Sequence, residues 1–267
     1  MRIKGTTMTY ECLLYEVHDR IATLTLNRPE RLNALGDTLR DDLNDAVHKS
    51  AADSDVGVLI ITGAGRGFCS GGDVKAMGSR PEPSPTEKFA PMRDRTILAM
   101  RDCPKPIIAA VNGAAAGAGM NLALACDMRI ASSAAKFSQA FVKRGLHPDW
   151  GGTYFLPRIV GMGKACELIF TGDSIDAAEA LRLGIVNSVV APEALMTEAI
   201  KLARKIADGP AVAIQLAKRA LYHNLDADLR GALEFETFAQ NISRDTADAK
   251  EGARSFVEKR PPVFRGR

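Results

Sequence analysis

The chain is expected to fold as an α/β protein with parallel strand pairing that ends in an all-helical segment. Three features of the sequence lead there. Residues 56–62 (VGVLIIT) and 107–111 (IIAAV) are unbroken apolar runs of the kind found in strands buried on both faces. Each stands next to stretches of helical periodicity, and strand, crossover helix and strand imply parallel pairing. From Glu193 onward the periodicity is helical only.

The elements follow in order. Runs 13–17 and 21–26 flank His18, Asp19 and Arg20, and the second alternates apolar residues with Thr23 and Thr25, which predicts a hairpin. After Arg28 and Pro29, a helix presents Leu39, Leu43 and Val47 on one face ahead of strand 56–62. A helix around 89–100 precedes strand 107–111. A turn rich in Gly and Ala then leads into an apolar helix over 117–126 and a strand over 128–131. Asp176 with Glu179 three residues on reads as a helix N-cap, Gly184 as the helix stop and 185–190 as one more strand. Segment 78–91, with four prolines, is expected to be a surface loop.

Composition narrows the function classes. The 267 residues are 46% hydrophobic and 25% charged, enough for one large domain with a sizeable core. The net charge of +3 is spread along the chain with no run of five like charges, so nucleic acid is not an expected partner. Five cysteines lie far apart and form no C-x-x-C pair, which fits a reducing cytoplasm and gives no metal site. The basic start lacks an apolar signal core, and no stretch nears the roughly 18 apolar residues of a membrane span. Neither export nor a membrane partner is expected.

Two glycine-rich turns each follow a buried strand, at 63–73 (GAGRGFCSGGD) and 112–119 (NGAAAGAG). Neither spells G-x-G-x-x-G in a dinucleotide-binding unit, and Gly161-Met-Gly163-Lys164 lacks the Ser or Thr of a phosphate loop. Two readings remain: tight strand-to-helix packing, or close approach of a ligand to backbone N–H groups. Two such turns after two parallel strands favour a ligand, because open α/β sheets bind ligands at the carboxyl ends of their strands. Facing N–H groups would form an oxyanion hole.

Five strings, LNRPERLNAL (26–35), GRGFCSGGDVKAM (65–77), KPIIAAVNGAAAGAGMNLALACDMRIA (105–131), GLHPDWGGTYFLPRIVG (145–161) and EGARSFVEKRPPVF (251–264), resemble the enoyl-CoA hydratase/isomerase (crotonase) superfamily in the same order along nearly the whole chain. Within it the AAGAG, PD-x-GGT and C-terminal motifs are similar to those of the ring-oxepin-forming isomerases of phenylacetate degradation. The resemblance implies a crotonase-like spiral of β-β-α units over 1–200 and a helical C-terminal trimerisation region over 201–267. It implies a homotrimer or a dimer of trimers.

The resemblance also implies site residues. Gly72 and Ala118 would donate the two N–H groups to a thioester oxygen. Ser70 and Lys75 match positions that contact the coenzyme A adenine and phosphate. Phe256 and Lys259 match residues that reach the adenine end, in some members from a neighbouring subunit. Coenzyme A would be part of the substrate, an acyl-CoA thioester, with no separate cofactor. Hydratases of the family carry one catalytic Glu where this chain has Asn121 and the other where it has Phe141. Neither residue titrates, which puts standard hydration in doubt. Asp149 stands where related isomerases carry a catalytic Asp. The residue itself leaves a second role open, as N-cap of a helix beginning near Trp150.

Phe141, Trp150 and Asn121 would bind substrate, and between Trp150 and its expected neighbour Phe141 the Asp149 carboxylate would be partly desolvated and its pKa raised. His147 is a possible second titrating group. These residues imply an isomerase that shifts a double bond through a thioester enolate, or a ring-epoxide variant of that step. The alternatives are a hydratase with a non-standard acid or base, and a non-catalytic relative that binds acyl-CoA or RNA.

Overall fold

A computed structural model describes residues 7–73 and 95–266. The expected hairpin is present: β2 (Leu13–His18) pairs antiparallel with β3 (Ile21–Leu26). Its two-residue connection puts Asp19 and Arg20 at φ of 51° and 66°, the primed-turn geometry that matches strand twist. A short strand the periodicity did not reveal, β1 (Thr7–Thr9), adds to the outer edge of β2. Helix α1 (Leu39–Ala52) buries Leu39, Leu43 and Val47 together, as its spacing predicts.

Beyond it the chain repeats one step. A longer strand joins a seven-stranded sheet, a short strand crosses into a four-stranded sheet, and the chain then turns into the next unit. The pairs are β4 (Val58–Gly63) with β5 (Gly67–Cys69), β6 (Ile107–Val111) with β7 (Ala114–Ala116), and β8 (Met128–Ser132) with β9 (Lys136–Ser138). The large sheet runs β1-β2-β3-β4-β6-β8-β11 and is parallel from β3 onward. The small one runs β10-β9-β7-β5, with β10 (Ser174–Asp176) antiparallel to β9. This is the spiral of β-β-α units. Helices α2 (Arg95–Asp102), α3 (Ala118–Ala125), α4 (Gly152–Val160) and α5 (Met162–Thr171) lie between these strands in the chain, and α3 is buried over its whole length. The expected helix start near 89 and the loop 78–91 lie outside the described residues.

The late α/β elements differ from expectation at one point. Asp176 caps α6 (Ala177–Arg182) by accepting from Glu179 N–H at 2.8 Å, as its spacing predicts. Strand β11, however, covers only Ser188–Val190. Ile185 and Val186 are apolar and buried, but both their amides bond back to the carbonyl of Ala180 at 2.8 and 3.3 Å. They close the helix end and are not available to the ladder.

The expected boundary between residues 200 and 201 falls inside α7 (Leu195–Ala207). Ala199, Ala203 and Ala207 repeat at four-residue spacing and are buried with Ile60, Ile108 and Ile130 on the second face of the large sheet. The α/β core therefore runs through Ala207, because this helix covers that face. Helices α8 (Ala211–His223), α9 (Leu229–Arg244) and α10 (Ala247–Val257) follow. A buried cluster fastens α8 to the core: Lys218 Nζ lies 2.8 Å from Asp127 Oδ2 and 2.9 Å from the carbonyl of Lys105. Asp127 also accepts from Tyr222, whose hydroxyl pKa is raised by burial and then by that carboxylate. Among the described residues no helix is long and apolar enough to cross a membrane.

Candidate active site

The two glycine-rich turns meet. Asn33, fully buried, donates to the carbonyls of Ala64 (3.0 Å) and Gly67 (2.8 Å), and Asn112 donates to those of Gly65 (2.9 Å) and Gly67 (3.1 Å). These amides supply the hydrogen bonds that a turn without a ladder would lack. The first turn reaches across to the second at Gly71, whose φ is 92°. A Cβ there would sit 2.7 Å from the carbonyl oxygen of Ala116 and 3.4 Å from Ala118 N, so only glycine fits. The helix after the second turn is equally close: a Cβ at Gly119 would overlap the carbonyl of Cys69.

This packing sets the amides. Leu35 N–H donates to Gly71 O at 2.7 Å in a single parallel bridge between Leu35 and Gly72. Since Leu35 supplies the bonded amide, that of Gly72 faces the other way. Ala118 is the first residue of α3, behind an N-cap Gly117 with no side-chain cap, so its N–H has no intrahelical acceptor. Gly72 and Ala118 line one cavity of about 120 Å³, together with Ser70, Phe141, His147 and Asp149. Arg28 orders the exit of the first turn: its guanidinium is buried, pairs with Asp37 and lies 3.2 Å from Asp73 Oδ2.

Six of the expected site residues thus share one cavity, and the remainder divide. Asn121 is fully buried and lies outside the cavity lining. Its Nδ2 donates to the carbonyl of Asp149 at 2.7 Å and its Oδ1 accepts from Gln139 at 2.7 Å. It holds the Asp149 turn from behind. Trp150 is also off the wall: 1% exposed, at φ 53°, beneath the guanidinium of Arg40. Asp149 is exposed, not enclosed between Trp150 and Phe141, because the turn that carries it lies at the surface beside exposed Leu146 and His147. Its capping alternative is not realised. Helix α4 begins at Gly152 with Gly151 at the N-cap, and Asp149 contributes its carbonyl to Gly152 N–H at 3.1 Å.

Phe256 is 85% exposed, Lys259 is exposed, and neither lines the cavity. Lys75 lies outside the described residues.

Residues that the sequence did not single out complete the surroundings. Arg40 and Arg144 line the same cavity, and Arg144 continues with Arg31 and Arg66 into a neighbouring cleft of about 290 Å³ that also takes in Ser70 and Gly72. On the other side, Leu146 and His147 continue into an apolar groove of about 420 Å³. Larger clefts, of about 750 Å³ among the C-terminal helices and about 630 Å³ between α8 and residues 101–104, contain none of these turns. Cys69, under the first turn, is no nucleophile: burial pushes its thiol up to about 12.

The profile of the enoyl-CoA hydratase/isomerase family matches residues 16–267. The chain is 40% identical over 258 residues to a crotonyl-CoA hydratase of Syntrophomonas wolfei, covering 96% of this chain and 99% of the relative. It is 40% identical over 260 residues to a 1,2-epoxyphenylacetyl-CoA isomerase of Escherichia coli K12, with coverage of 96% and 99%. An enoyl-CoA hydratase/isomerase from Cupriavidus metallidurans CH34 has the same fold at a TM-score of 0.90 and 33% identity, covering 97% and 98%. The spiral and its converging turns are thus those of a known class of enzyme. This chain belongs to the enoyl-CoA hydratase/isomerase family.

Proposed function

We propose that the enzyme moves a double bond within an acyl-CoA thioester by a 1,3-proton shift, or catalyses the ring-epoxide variant of that step. One observation carries this reading: Asp149 is the only carboxylate among the described residues that line the cavity, and the resemblance in sequence puts Asn121 and Phe141 where hydratases of the family carry their paired glutamates. A single carboxylate can take a proton from carbon 2 and return it at carbon 4, whereas water addition in this family uses two. As the proton leaves, charge develops on the thioester oxygen, where the amides of Gly72 and Ala118 would stabilise it. His147 is the candidate for a second titrating group. With it, non-standard hydration is the competing reading, favoured by the name of the crotonyl-CoA hydratase relative.

The same proposal assigns the coenzyme A portion to Ser70 and Lys75, with Phe256 and Lys259 contributed by a neighbouring subunit of a trimer or dimer of trimers. Exposed apolar residues on the C-terminal helices, Leu221, Leu229 and Phe256 among them, support assembly. The five unpaired thiols support a reducing cytoplasm.

The test is a substrate panel followed by ultraviolet absorbance. 3-Hexenoyl-CoA should gain the conjugated chromophore, and crotonyl-CoA should keep it. Rapid loss of the crotonyl-CoA chromophore with an inert 3-enoyl substrate would overturn the isomerase in favour of the hydratase.

A further inference from the structure

Arg40 serves neither of the roles assigned above. It is the second residue of α1, half-buried, and its head group is fixed at two points. Nε donates to the carbonyl of Leu35 at 3.2 Å, and the guanidinium lies over the indole of Trp150, 5.6 Å from the ring centroid. Leu35 is the residue bonded to Gly71, and Trp150 follows Asp149. Arg40 is therefore tied to both the oxyanion turn and the turn of the candidate base. Among the described residues it enters no ion pair, and its terminal nitrogens have no acceptor.

A half-buried guanidinium without a counter-charge is a costly arrangement, and its planar fork matches a carboxylate. The second arginine of the cavity does not compete for that role. Arg144 opens into the cleft it shares with Arg31 and Arg66, which suits the phosphates of a coenzyme A handle, whereas Arg40 does not line that cleft. Among the described residues that line the cavity, the two arginines face one carboxylate, that of Asp149, a balance that favours an anionic substituent.

We infer that Arg40 selects acyl groups bearing a second, free carboxylate, so that the preferred substrate is the monothioester of a dicarboxylic acid. This rests on the acyl-CoA reading of the cavity, but not on which reaction takes place there. The test uses saturated thioesters, which cannot react: calorimetric affinities of succinyl-, glutaryl- and adipyl-CoA against butyryl-, valeryl- and hexanoyl-CoA. At one chain length or more the dicarboxylic member should bind about 10–100-fold more tightly, the range of a hydrogen bond to a charged group. In Arg40→Gln that ratio should fall to within about threefold. In Arg40→Lys, which keeps the charge and loses the fork, it should be intermediate.

Absence of a preference at every length overturns the inference, as does a preference that survives in Arg40→Gln. If Arg40→Gln fails to fold, a ratio in Arg40→Lys equal to that of the wild type overturns it in the same way. An Arg40-dependent preference in an enzyme inert toward 3-enoyl substrates would retire the isomerase reading and leave this inference standing. An active isomerase without the preference would do the reverse.

Discussion

The cavity turns and the C-terminal helices are built on opposite principles. Around the cavity, backbone packs on backbone: Gly71 against Ala116 and Ala118, and Gly119 against Cys69, with Asn33 and Asn112 bonding the turn carbonyls. Nothing there needs a partner to be stable, and what remains open is a pair of amides. The C-terminal helices leave large apolar side chains on their surface, with Leu221 70%, Leu229 75% and Phe256 85% exposed. One region closes on itself and the other leaves apolar surface open. Apart from the proposed base, the cavity turns should therefore tolerate side-chain changes yet fail on backbone changes, and the helical region should behave in the opposite way.

The largest expected effect sits on the side chain proposed as the base. Asp149→Asn should lower isomerisation by about 10²–10⁴-fold, the usual contribution of a general acid or base. Stability should change far less than activity, because Asn keeps the size of Asp and Gly151 occupies the N-cap of α4. Exchange of the substrate α-proton with deuterated solvent reads this directly. A wild-type exchange rate in Asp149→Asn would move the base elsewhere, to His147 first. Next comes the backbone: Gly72→Pro deletes a donor and should cost about 100-fold or more in turnover. Gly119→Ala should instead destabilise the fold by about 1–3 kcal/mol through overpacking against Cys69. Thermal melts separate the two effects.

Legibility in the sequence follows the same division. Strands β4 and β6 were readable because a continuous apolar run buried on both faces leaves a local signature, as did the Asp176 cap. Strands β5, β7 and β9 are three residues each, GFC, AAA and KFS, and exist because the spiral delivers them to the second sheet. No periodicity can announce them. Ile185 and Val186 misled for the opposite reason: burial made them look like strand, although a helix end had already taken their amides. The resemblance placed Gly72, Ala118 and Asp149 at one cavity, but could not tell that Asn121 faces Gln139 and the Asp149 carbonyl, or that Asp149 is exposed. Arg40 escaped notice because its role depends on a contact with Trp150, 110 positions away in the chain.

For the helical region, the expectation is dissociation without unfolding. Leu229→Lys, at a residue 75% exposed in the single subunit, should change subunit stability by no more than about 0.5 kcal/mol. Light scattering should nonetheless show its mass falling from a multiple of three subunits toward 28.6 kDa. A wild-type protein that is monomeric at micromolar concentration would end the assembly proposal and leave the exposed leucines without an explanation.

The smallest effect expected is at the far end of the same helices, where a charge clasp replaces apolar packing. Arg260 holds Glu251 at 2.6 Å, and Glu251 also accepts from Val263 N–H at 3.0 Å. The guanidinium first, and the amide second, draw the Glu251 carboxyl from 4.5 down to about 2. A depressed folded-state pKa means that the contribution is fully present above the unfolded value near 4.5 and is lost as pH falls through about 2. Solvent screening keeps it small, so a global melt is too blunt a probe. Hydrogen exchange at the Val263 amide, corrected for its intrinsic pH dependence, should show constant protection at neutral pH that declines only below pH 4.5. Glu251→Gln should show lower protection with no such decline. An identical acid profile in the two proteins would mean that the tail is held by Asp248, which accepts from Arg265 and Gly266 at 2.7 Å each, and that the arginine clasp is incidental.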